Sequence, residues 1–202
     1  MPLTAQDSGD LGVLLLAGGE ATRLPGKLLL DAGGVPLLVR AYRNVAATYP
    51  VWISCDSDVA HAIAGWIDAP TVADRWPQRG PLCGILSTMS EMTTSWVFVL
   101  AGDLPFVDAR VIARLACHID QTTEAVVPTH IVDEQLTLEP LVALYAREAF
   151  LREGLPLIAR GHGSPRPVID CLQTTYVDLA DEHIFINVNT PEDYTLLRDA
   201  LQ

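Results

Sequence analysis

The stretch from Leu11 to Leu30 reads LGVLLLAGGEATRLPGKLLL and decides the fold, because an apolar segment runs directly into a glycine-rich loop with two cations. The segment from Gly12 to Leu16 is short and apolar, which predicts a buried strand that ends at Ala17. Gly18 and Gly19 carry no side chain, so their backbone N–H groups can approach an anion closely. The stretch therefore predicts a phosphate-binding turn at the end of the first strand.

Two cations stand in this loop, Arg23 and Lys27, and Lys27 is the only lysine of the chain. A compact ammonium on a flexible stem is a mobile point charge that can follow phosphate oxygens through a reaction. A surface lysine in a turn is the alternative interpretation, and charge and spacing alone leave both open.

The length and composition predict one folded domain over residues 1–202, with residues 1–9 as a flexible lead. Half of the chain is hydrophobic (50%), which is enough for a full core. The net charge of −12 argues against nucleic acid or an anionic membrane as a partner. A phosphate-bearing small substrate remains compatible with that charge, because a local group of cations acts within a Debye length of about 8 Å.

The cysteines and the N-terminal residues bear on the compartment. The four cysteines have no C-x-x-C spacing, which is typical of reduced thiols in a cytoplasmic protein. The first ten residues lack the apolar core of a signal peptide, and no apolar run approaches the roughly 18 residues of a membrane span. The sequence therefore predicts a cytoplasmic location.

Short apolar segments alternate with helical patterns over the first 120 residues. The predicted strands are 12–16, 51–55, 70–73 and 96–101, and the predicted helices are 36–49, 57–66, 82–92 and 109–119. This alternation is typical of a parallel sheet with crossover helices. Ligands of such sheets bind beyond the carboxyl ends of the strands, so the loops after the first, third and fourth strands are expected to share one crevice.

The second half of the chain is less regular. The segment 125–128 predicts a strand, and 138–145 predicts a strand that turns into a helix through Leu151. The residues from Gly154 to Asp170 contain three prolines and two arginines, which predicts a loop with local positive charge. The segments 174–177 and 184–187 are interpreted as final strands, and Thr190 followed by Pro191 predicts a capped helix over 191–201.

Asp103 follows the fourth predicted strand, 96–101, in the sequence Gly102-Asp103-Leu104-Pro105-Phe106. An acid at the carboxyl end of a buried strand is either a turn or helix-capping residue or a metal ligand. Asp108 already stands where the next helix needs a cap, which leaves Asp103 without a structural task. Because Mg²⁺ prefers carboxylate and phosphate oxygens together with water, one aspartate can suffice for its site.

The opening loop does not match two well-known phosphate loops. Leu28 follows Lys27 where a Walker loop needs a hydroxyl residue, and the spacing of Gly18, Gly19 and Gly26 does not fit G-x-G-x-x-G. The segment resembles instead the signature L-A-G-G-x-x-x-R, followed closely by lysine, of nucleotidyltransferases with a Rossmann-like fold. Within that superfamily it is most similar to the molybdenum cofactor guanylyltransferases, which join GMP to molybdopterin.

Four further segments carry the same resemblance in the same order along the chain. They are Gly80-Pro81-Leu82-Cys83-Gly84 for G-P-L-x-G, Asp103-Leu104-Pro105-Phe106 for D-x-P-F, Pro140 to Tyr145 for P-L-x-A-L-Y, and Asn187 to Asp193 for N-x-N-T-P-E-D. One departure is the segment Arg23-Leu24-Pro25-Gly26-Lys27, which is shorter than the family's R-M-G-G-x-D-K and lacks its aspartate. The relative that uses CTP tends to have L-A-A-G at the first loop, so the second glycine here favours the guanine enzyme.

The resemblance implies a three-layer α/β/α Rossmann-like nucleotidyltransferase fold with a mostly parallel central sheet. It implies that Gly18 and Gly19 hold phosphates and that Arg23 and Lys27 neutralise the leaving pyrophosphate. It further implies that Asp103 holds Mg²⁺, with Mn²⁺ as an alternative metal.

The resemblance also implies which residues surround the base and the acceptor. Leu16, Ala17 and Gly84 are expected at the guanine. Asn187 and Asn189 are candidates for the metal or the pterin, and Arg160 and Arg166 are candidates for the pterin's phosphate. GTP and molybdopterin are the implied substrates, and a molybdoenzyme or a cofactor-handling protein is the implied transient partner.

Two alternatives stay open at the level of the sequence. The first is a related nucleotidyltransferase that uses CTP or a sugar phosphate acceptor. The second, from a different class, is a non-catalytic nucleotide-binding partner in cofactor insertion. Turnover by an Asp103→Ala variant separates the classes, because an enzyme would lose its activity and an adaptor would keep partner binding.

Overall fold

The computed structural model of the protein describes residues 10–18, 26–76, 80–132, 135–179, 182–188 and 190–200. Within these ranges eight strands form one sheet, accompanied by seven α-helices. The strands are β1 Leu11–Leu16, β2 Val51–Ser54, β3 Thr71–Val72, β4 Trp96–Ala101, β5 Ala125–Val132, β6 Gln135–Leu138, β7 Val142–Ala146 and β8 Thr174–Asp178. The helices are α1 Leu37–Ala46, α2 Ser57–Ile63, α3 Pro81–Met89, α4 Ala109–Ala116, α5 Arg147–Ala159, α6 Arg166–Ile169 and α7 Pro191–Ala200.

The sheet is mixed, and six of its eight described strands point the same way. Its order is β3-β2-β1-β4-β7-β5-β6, with β8 paired to β5. The neighbours β3, β2, β1 and β4 are parallel, as are β5 and β8, whereas β7 runs antiparallel to both β4 and β5. The carboxyl ends of β1, β4 and β5 therefore meet at one edge of the sheet, which is also the edge where β7 begins. The predicted α/β architecture with a mostly parallel sheet is confirmed.

Two apolar cores lie on opposite faces of the sheet. All six residues of β1 are buried, because the strand is covered on both sides. Val13 and Leu15 pack on the face covered by α1, α2 and α4. Leu14 and Leu16 pack on the face covered by α3, α5 and α6. This arrangement has three layers, with the sheet in the middle.

Three predicted helix starts are capped as the sequence indicates. The carboxylate of Asp56 accepts hydrogen bonds from two backbone N–H groups at the start of α2, and Asp108 does the same for α4. At α7 the backbone N–H of Thr190 donates to Asp193, and the N–H of Asp193 donates to the Thr190 hydroxyl at 3.1 Å. This reciprocal pair is a capping box. Asp108 is thus the cap that leaves Asp103 available for another role.

The less regular half departs from the prediction in two places. The segment 138–145 is not one strand, because β6 ends at Leu138 and a turn precedes β7. The strand predicted at 184–187 is also wrong, since a 3-10 helix spans Glu182–Phe185. Apolar residues at Ile184 and Val188 are buried in two different clusters rather than paired in the sheet.

The loop predicted from Gly154 to Asp170 is wrong as well, because α5 continues to Ala159 with Pro156 inside it and α6 follows. Packing explains why the helix tolerates a proline. Phe150, Gly154 and Ile158 recur at helical spacing and are buried. A methyl group added at Gly154 would lie 2.7 Å from a methyl carbon of Leu86 in α3. Contact between α5 and α3 outweighs the local preference of the sequence.

None of the helices among the described residues is both long enough and apolar enough to cross a membrane.

Candidate active site

The ends of β1 and β4 are joined directly at the carboxyl edge of the sheet. Leu16 stands opposite Ala101 in the parallel register, and the N–H of Gly102 donates to the Leu16 carbonyl at 2.8 Å. A methyl group added at Gly102 would lie 2.9 Å from that same carbonyl oxygen and 2.7 Å from a side-chain carbon of Leu38. A side chain is therefore excluded at position 102. This close approach sets Asp103 beside the end of the first strand.

Lys27 and Asp103 form an ion pair between Nζ and Oδ2. Their side chains are only 14% and 13% exposed. Gly26 has a φ of 69°, in the left-handed region that glycine adopts at no cost, and a 3-10 turn then begins at Lys27. The two predicted candidates thus meet across 76 residues of sequence. Partial burial strengthens their attraction, because the surrounding dielectric is lower than that of water.

The second carboxylate oxygen of Asp103, Oδ1, is buried and accepts no hydrogen bond from any described residue. The side-chain oxygen Oδ1 of Asn187 is likewise buried and has no hydrogen-bond partner among the described residues. The two residues are neighbours through the backbone, because the N–H of Val188 donates to the Asp103 carbonyl at 3.3 Å. A buried oxygen without a partner is costly, so both atoms are open to a ligand or a water molecule.

These oxygens suit a hard divalent cation such as Mg²⁺. No group of three or more His, Cys, Asp or Glu side chains that could hold a metal occurs among the described residues. A metal at Asp103 would therefore depend on phosphate oxygens and water for most of its ligands. This requirement fits a site that binds metal together with a nucleotide.

A second acid, Asp74, follows β3 and lies near Gly84 of α3 and Ser54 at the end of β2. The Ser54 hydroxyl donates to Asp74 Oδ1 at 3.1 Å. A methyl group added at Gly84 would lie 2.5 Å from the Ser54 hydroxyl oxygen and 3.2 Å from Asp74 Oδ1. Gly84 thus lets α3 approach this polar pair closely. Sequence analysis missed Asp74, although an acid directly after a short third strand was the available signal.

The two buried cysteines near this acid are poor nucleophiles. Burial, together with the negative charges of Asp56 and Asp74, raises the pKa of the Cys55 thiol to about 11. Burial also raises the pKa of Cys83, whose thiol donates to the Trp76 carbonyl. Both side chains stay protonated at neutral pH, and the thiolate is the reactive form. Neither cysteine is therefore suited to act as a nucleophile in catalysis.

The remaining candidates from the sequence are the residues at the end of β1, those outside the described ranges, and Arg160 and Arg166. Gly18 is exposed, while the Leu16 carbonyl and the Ala17 N–H are engaged in backbone hydrogen bonds to Gly102 and Ser54. Gly19, Arg23 and Asn189 lie outside the described residues.

Arg160 and Arg166 are exposed at the two ends of a short connection between α5 and α6. The carbonyl of Gly163 in that connection accepts from the N–H of Leu82 at 3.0 Å. A methyl group added at Gly80, whose φ is 73°, would lie 2.7 Å from the same carbonyl. The connection with its two arginines is thus fastened to the start of α3.

An α/β/α sheet whose first strand is followed by Gly18, with Lys27 and Asp103 paired beside its carboxyl edge, is the arrangement expected of a nucleotidyltransferase. The chain belongs to the family of the MobA-like NTP transferase domain, whose model matches residues 13–178.

Relatives of known name extend along almost the full chain. A protein of Natronomonas pharaonis named probable molybdenum cofactor guanylyltransferase is 29% identical, and the match covers 96% of this chain and 99% of that protein. The molybdenum cofactor guanylyltransferase of Burkholderia orbicola is also 29% identical, with 96% and 98% covered.

Two solved structures share the fold. Molybdopterin-guanine dinucleotide biosynthesis protein A from Archaeoglobus fulgidus superposes with a TM-score of 0.79 at 23% identity, covering 94% of this chain and 97% of that chain. The 4-diphosphocytidyl-2C-methyl-D-erythritol synthase of Anaerococcus prevotii gives 0.74 at 11% identity, covering 96% and 99%.

Proposed function

We propose that the protein transfers the GMP unit of GTP to the terminal phosphate of molybdopterin, forming the guanine dinucleotide cofactor and releasing pyrophosphate. The names of the full-length relatives support this substrate pair. The Lys27–Asp103 pair beside the end of β1 is the observation that carries the proposal. It unites a mobile cation with a metal-binding acid at the point where a triphosphate would lie.

The reaction is a direct displacement at phosphorus. An oxygen of the acceptor's terminal phosphate forms a bond to the α-phosphorus of GTP. The bond from that phosphorus to the bridging oxygen of the β-phosphate breaks, and its electron pair leaves with pyrophosphate. The nucleophile is already an anion, so no strong general base is needed. Catalysis then consists of bringing two polyanions together and stabilising the charge that develops on the leaving group.

Lys27 is the residue we assign to the leaving pyrophosphate, with Arg23 of the same loop as its companion. In the structure Lys27 contacts the carboxylate of Asp103. Binding of the triphosphate and metal must therefore draw Lys27 away from Asp103 and toward phosphate oxygens. Lysine suits this exchange, because its ammonium can move over several oxygens without a fixed bidentate geometry.

Asp103 is the residue we assign to Mg²⁺, with the side-chain oxygen of Asn187 as a second candidate ligand. Both oxygens are buried without a partner among the described residues, which fits a cation that takes oxygen ligands. Mg²⁺ bound there would neutralise charge on the α-phosphate, and Mn²⁺ is an alternative. Gly18 and Gly19 would hold the phosphates through backbone N–H groups.

The guanine is assigned to the region around Leu16, Ala17 and Gly84. Asp74 Oδ1 lies on the same side of Gly84 as Leu16 and adds a carboxylate to this region. Guanine presents two adjacent donors, N1–H and the 2-amino group, whereas cytosine presents acceptors beside a single amino group. A carboxylate favours the former arrangement. Asp74 is thus a reason to prefer GTP over CTP.

The acceptor's phosphate is assigned to Arg160 and Arg166, which are both exposed, and Asn189 is assigned to the metal or the pterin. The product would pass to a molybdoenzyme or to a cofactor-handling protein. A cytoplasmic location is part of the proposal, since the four cysteines are free thiols.

Pyrophosphate release from the purified protein, with Mg²⁺ and molybdopterin and each nucleotide in turn, tests the proposal. We expect release with GTP that depends on molybdopterin. Release with CTP and not with GTP would refute the base, and release with a sugar phosphate in place of molybdopterin would refute the acceptor. Binding of GTP without any turnover would favour the non-catalytic alternative.

A further inference from the structure

The carboxyl edge of the sheet carries a second ionisable pair besides Lys27 and Asp103. His130 lies near the end of β5, and its Nε2 atom is 2.7 Å from Oε1 of Glu139. The His130 side chain is 10% exposed, whereas that of Glu139 is 26% exposed. The histidine is thus enclosed, while its carboxylate partner keeps a surface for contact with a ligand.

The pair shares an edge with Asp103. Glu139 lies between β6 and β7, and its N–H donates to the Pro128 carbonyl at 3.0 Å. Two residues further along, the Leu141 carbonyl accepts from the N–H of Ala101 at 3.0 Å. Ala101 is the last residue of β4 and lies just before Asp103.

We call this side of the carboxyl edge the acceptor half. It consists of the β5–β6 hairpin, the β6–β7 turn and the segment 185–188. The nucleotide half comprises the carboxyl ends of β1 to β4 and the start of α3.

One short segment connects the two centres. The ring of Phe185 lies 4.3 Å from the ring of His130, centroid to centroid, at an interplanar angle of 38°. Three residues later, the N–H of Val188 donates to the Asp103 carbonyl. The segment 185–188 therefore runs from the His130–Glu139 pair to the proposed reaction centre. A molecule whose phosphate reaches Asp103 would extend its other end along this segment.

The chemistry of the pair fits a flat heterocycle with two adjacent N–H donors. A carboxylate accepts two parallel hydrogen bonds from such donors, and its two oxygens have enough lone pairs to keep the bond from histidine as well. An aromatic ring beside it offers a face for stacking. We propose that Glu139 binds the N3–H and 2-amino edge of the acceptor's pterin, with His130 as the residue that orients Glu139 and Phe185 as a neighbouring ring. This inference rests on the proposed function, which supplies the pterin.

If the His130–Glu139 pair only stabilised the β5–β6 hairpin, the protein would show no preference between ligands. Lumazine, which carries a carbonyl where pterin carries its 2-amino group, separates the two roles. A carboxylate attracts the amino group and repels the carbonyl oxygen. Fluorescence titration of the full chain with pterin and with lumazine measures this preference directly, without GTP and without turnover.

We expect the parent protein to bind pterin about tenfold more tightly than lumazine, since one charge-assisted hydrogen bond is exchanged for a repulsion. Glu139→Gln should reduce that preference to within about twofold. The glutamine can still accept from His130, so the hairpin should fold, and thermal unfolding checks this. Glu148→Gln is the matched control, because Glu148 is an exposed acid at the start of α5. Its preference should equal that of the parent.

Pterin binding by Glu139 and transfer of GMP can be refuted independently of each other. Equal binding of pterin and lumazine by the parent, or an unchanged preference in Glu139→Gln, overturns the role of Glu139. In turnover with GTP, Glu139→Gln should raise the KM for molybdopterin about tenfold and leave the KM for GTP within about twofold. A parental KM for molybdopterin in an active Glu139→Gln enzyme would sink the inference and leave the guanylyl transfer intact. Preferential pterin binding by a protein that transfers no GMP would sink the reaction and leave the pterin site.

Discussion

The nucleotide half and the acceptor half of the carboxyl edge are built in different ways. The nucleotide half depends on positions that exclude side chains, since Gly84 and Gly102 each bring backbone within contact of a neighbouring element. The acceptor half depends on side-chain pairs, of which His130 with Glu139 is the clearest. Backbone packing gives a rigid shape that suits phosphates common to all nucleotides. Side-chain chemistry can select one acceptor, and it can change by single substitutions.

The largest expected effect concerns Asp103, where the two halves meet. Asp103→Asn keeps the size of the side chain and removes its charge, so it should lower kcat by about 10³-fold. Pyrophosphate release with GTP and molybdopterin measures this loss. Asp108→Asn is the control, because asparagine caps a helix as well as aspartate does. Activity of Asp103→Asn within tenfold of the parent would place the metal elsewhere.

The next largest effect on kcat is expected for a substitution at Lys27. Lys27→Met removes a cation from the leaving group and should lower kcat by about 10²-fold. The same variant should bind Mn²⁺ more tightly in the absence of nucleotide, because its Asp103 no longer pairs with an ammonium. Electron paramagnetic resonance of free Mn²⁺ measures that affinity, with Arg198→Met on the exposed surface of α7 as the control. A slower enzyme with unaltered Mn²⁺ affinity would mean that Lys27 does not compete with metal for Asp103.

A substitution at Gly84 tests the close packing of α3 in the nucleotide half. Gly84→Ala would put a methyl group 2.5 Å from the Ser54 hydroxyl oxygen, so it should destabilise the fold by about 1–3 kcal/mol. It should also raise the KM for GTP. Gly65→Ala is the matched control, because a methyl group there meets nothing within 4 Å. Combination with Ser54→Ala should recover part of the loss in a double-mutant cycle. Full additivity of the two substitutions would contradict the steric explanation.

The smallest effect in this half should belong to Asp74. Asp74→Asn can still accept a hydrogen bond from Ser54, so the fold should persist. Loss of the charge should lower kcat/KM for GTP about tenfold while leaving any slow reaction with CTP nearly unchanged. Competition between the two nucleotides measures the shift. An equal fall with both nucleotides would mean that Asp74 acts on the ribose or the fold and not on the base.

The nucleotide half was largely predictable from the sequence, because its signals are local. The strand from Trp96 to Ala101 was predicted with the bounds that the structure shows. Asp108 was predicted as the cap at the start of α4, which it is. The rule that ligands bind beyond the carboxyl ends of parallel strands foretold that Lys27 and Asp103 would face each other. It did not foretell their direct ion pair, because that contact joins residues 76 apart.

The acceptor half was poorly predicted for the opposite reason. The β5–β6 hairpin and the His130–Glu139 pair depend on tertiary contacts that leave little periodicity in the sequence. The same holds outside the acceptor half for the continuation of α5 through Pro156. A proline inside a helix is locally unfavourable, and only packing against α3 makes it acceptable. In the nucleotide half, Asp74 escaped notice although the strand before it was predicted at 70–73, because only its tertiary contacts with Ser54 and Gly84 set it apart from a solvated loop residue.

The most direct test of the account is a crystal structure of the protein with a non-hydrolysable GTP analogue and Mn²⁺. The account predicts an anomalous peak in contact with Asp103 Oδ1, α-phosphate oxygens in the same coordination sphere, and the Lys27 ammonium moved from Asp103 to the β- or γ-phosphate. A metal bound away from Asp103, with the Lys27–Asp103 pair still in place beside the nucleotide, would contradict it.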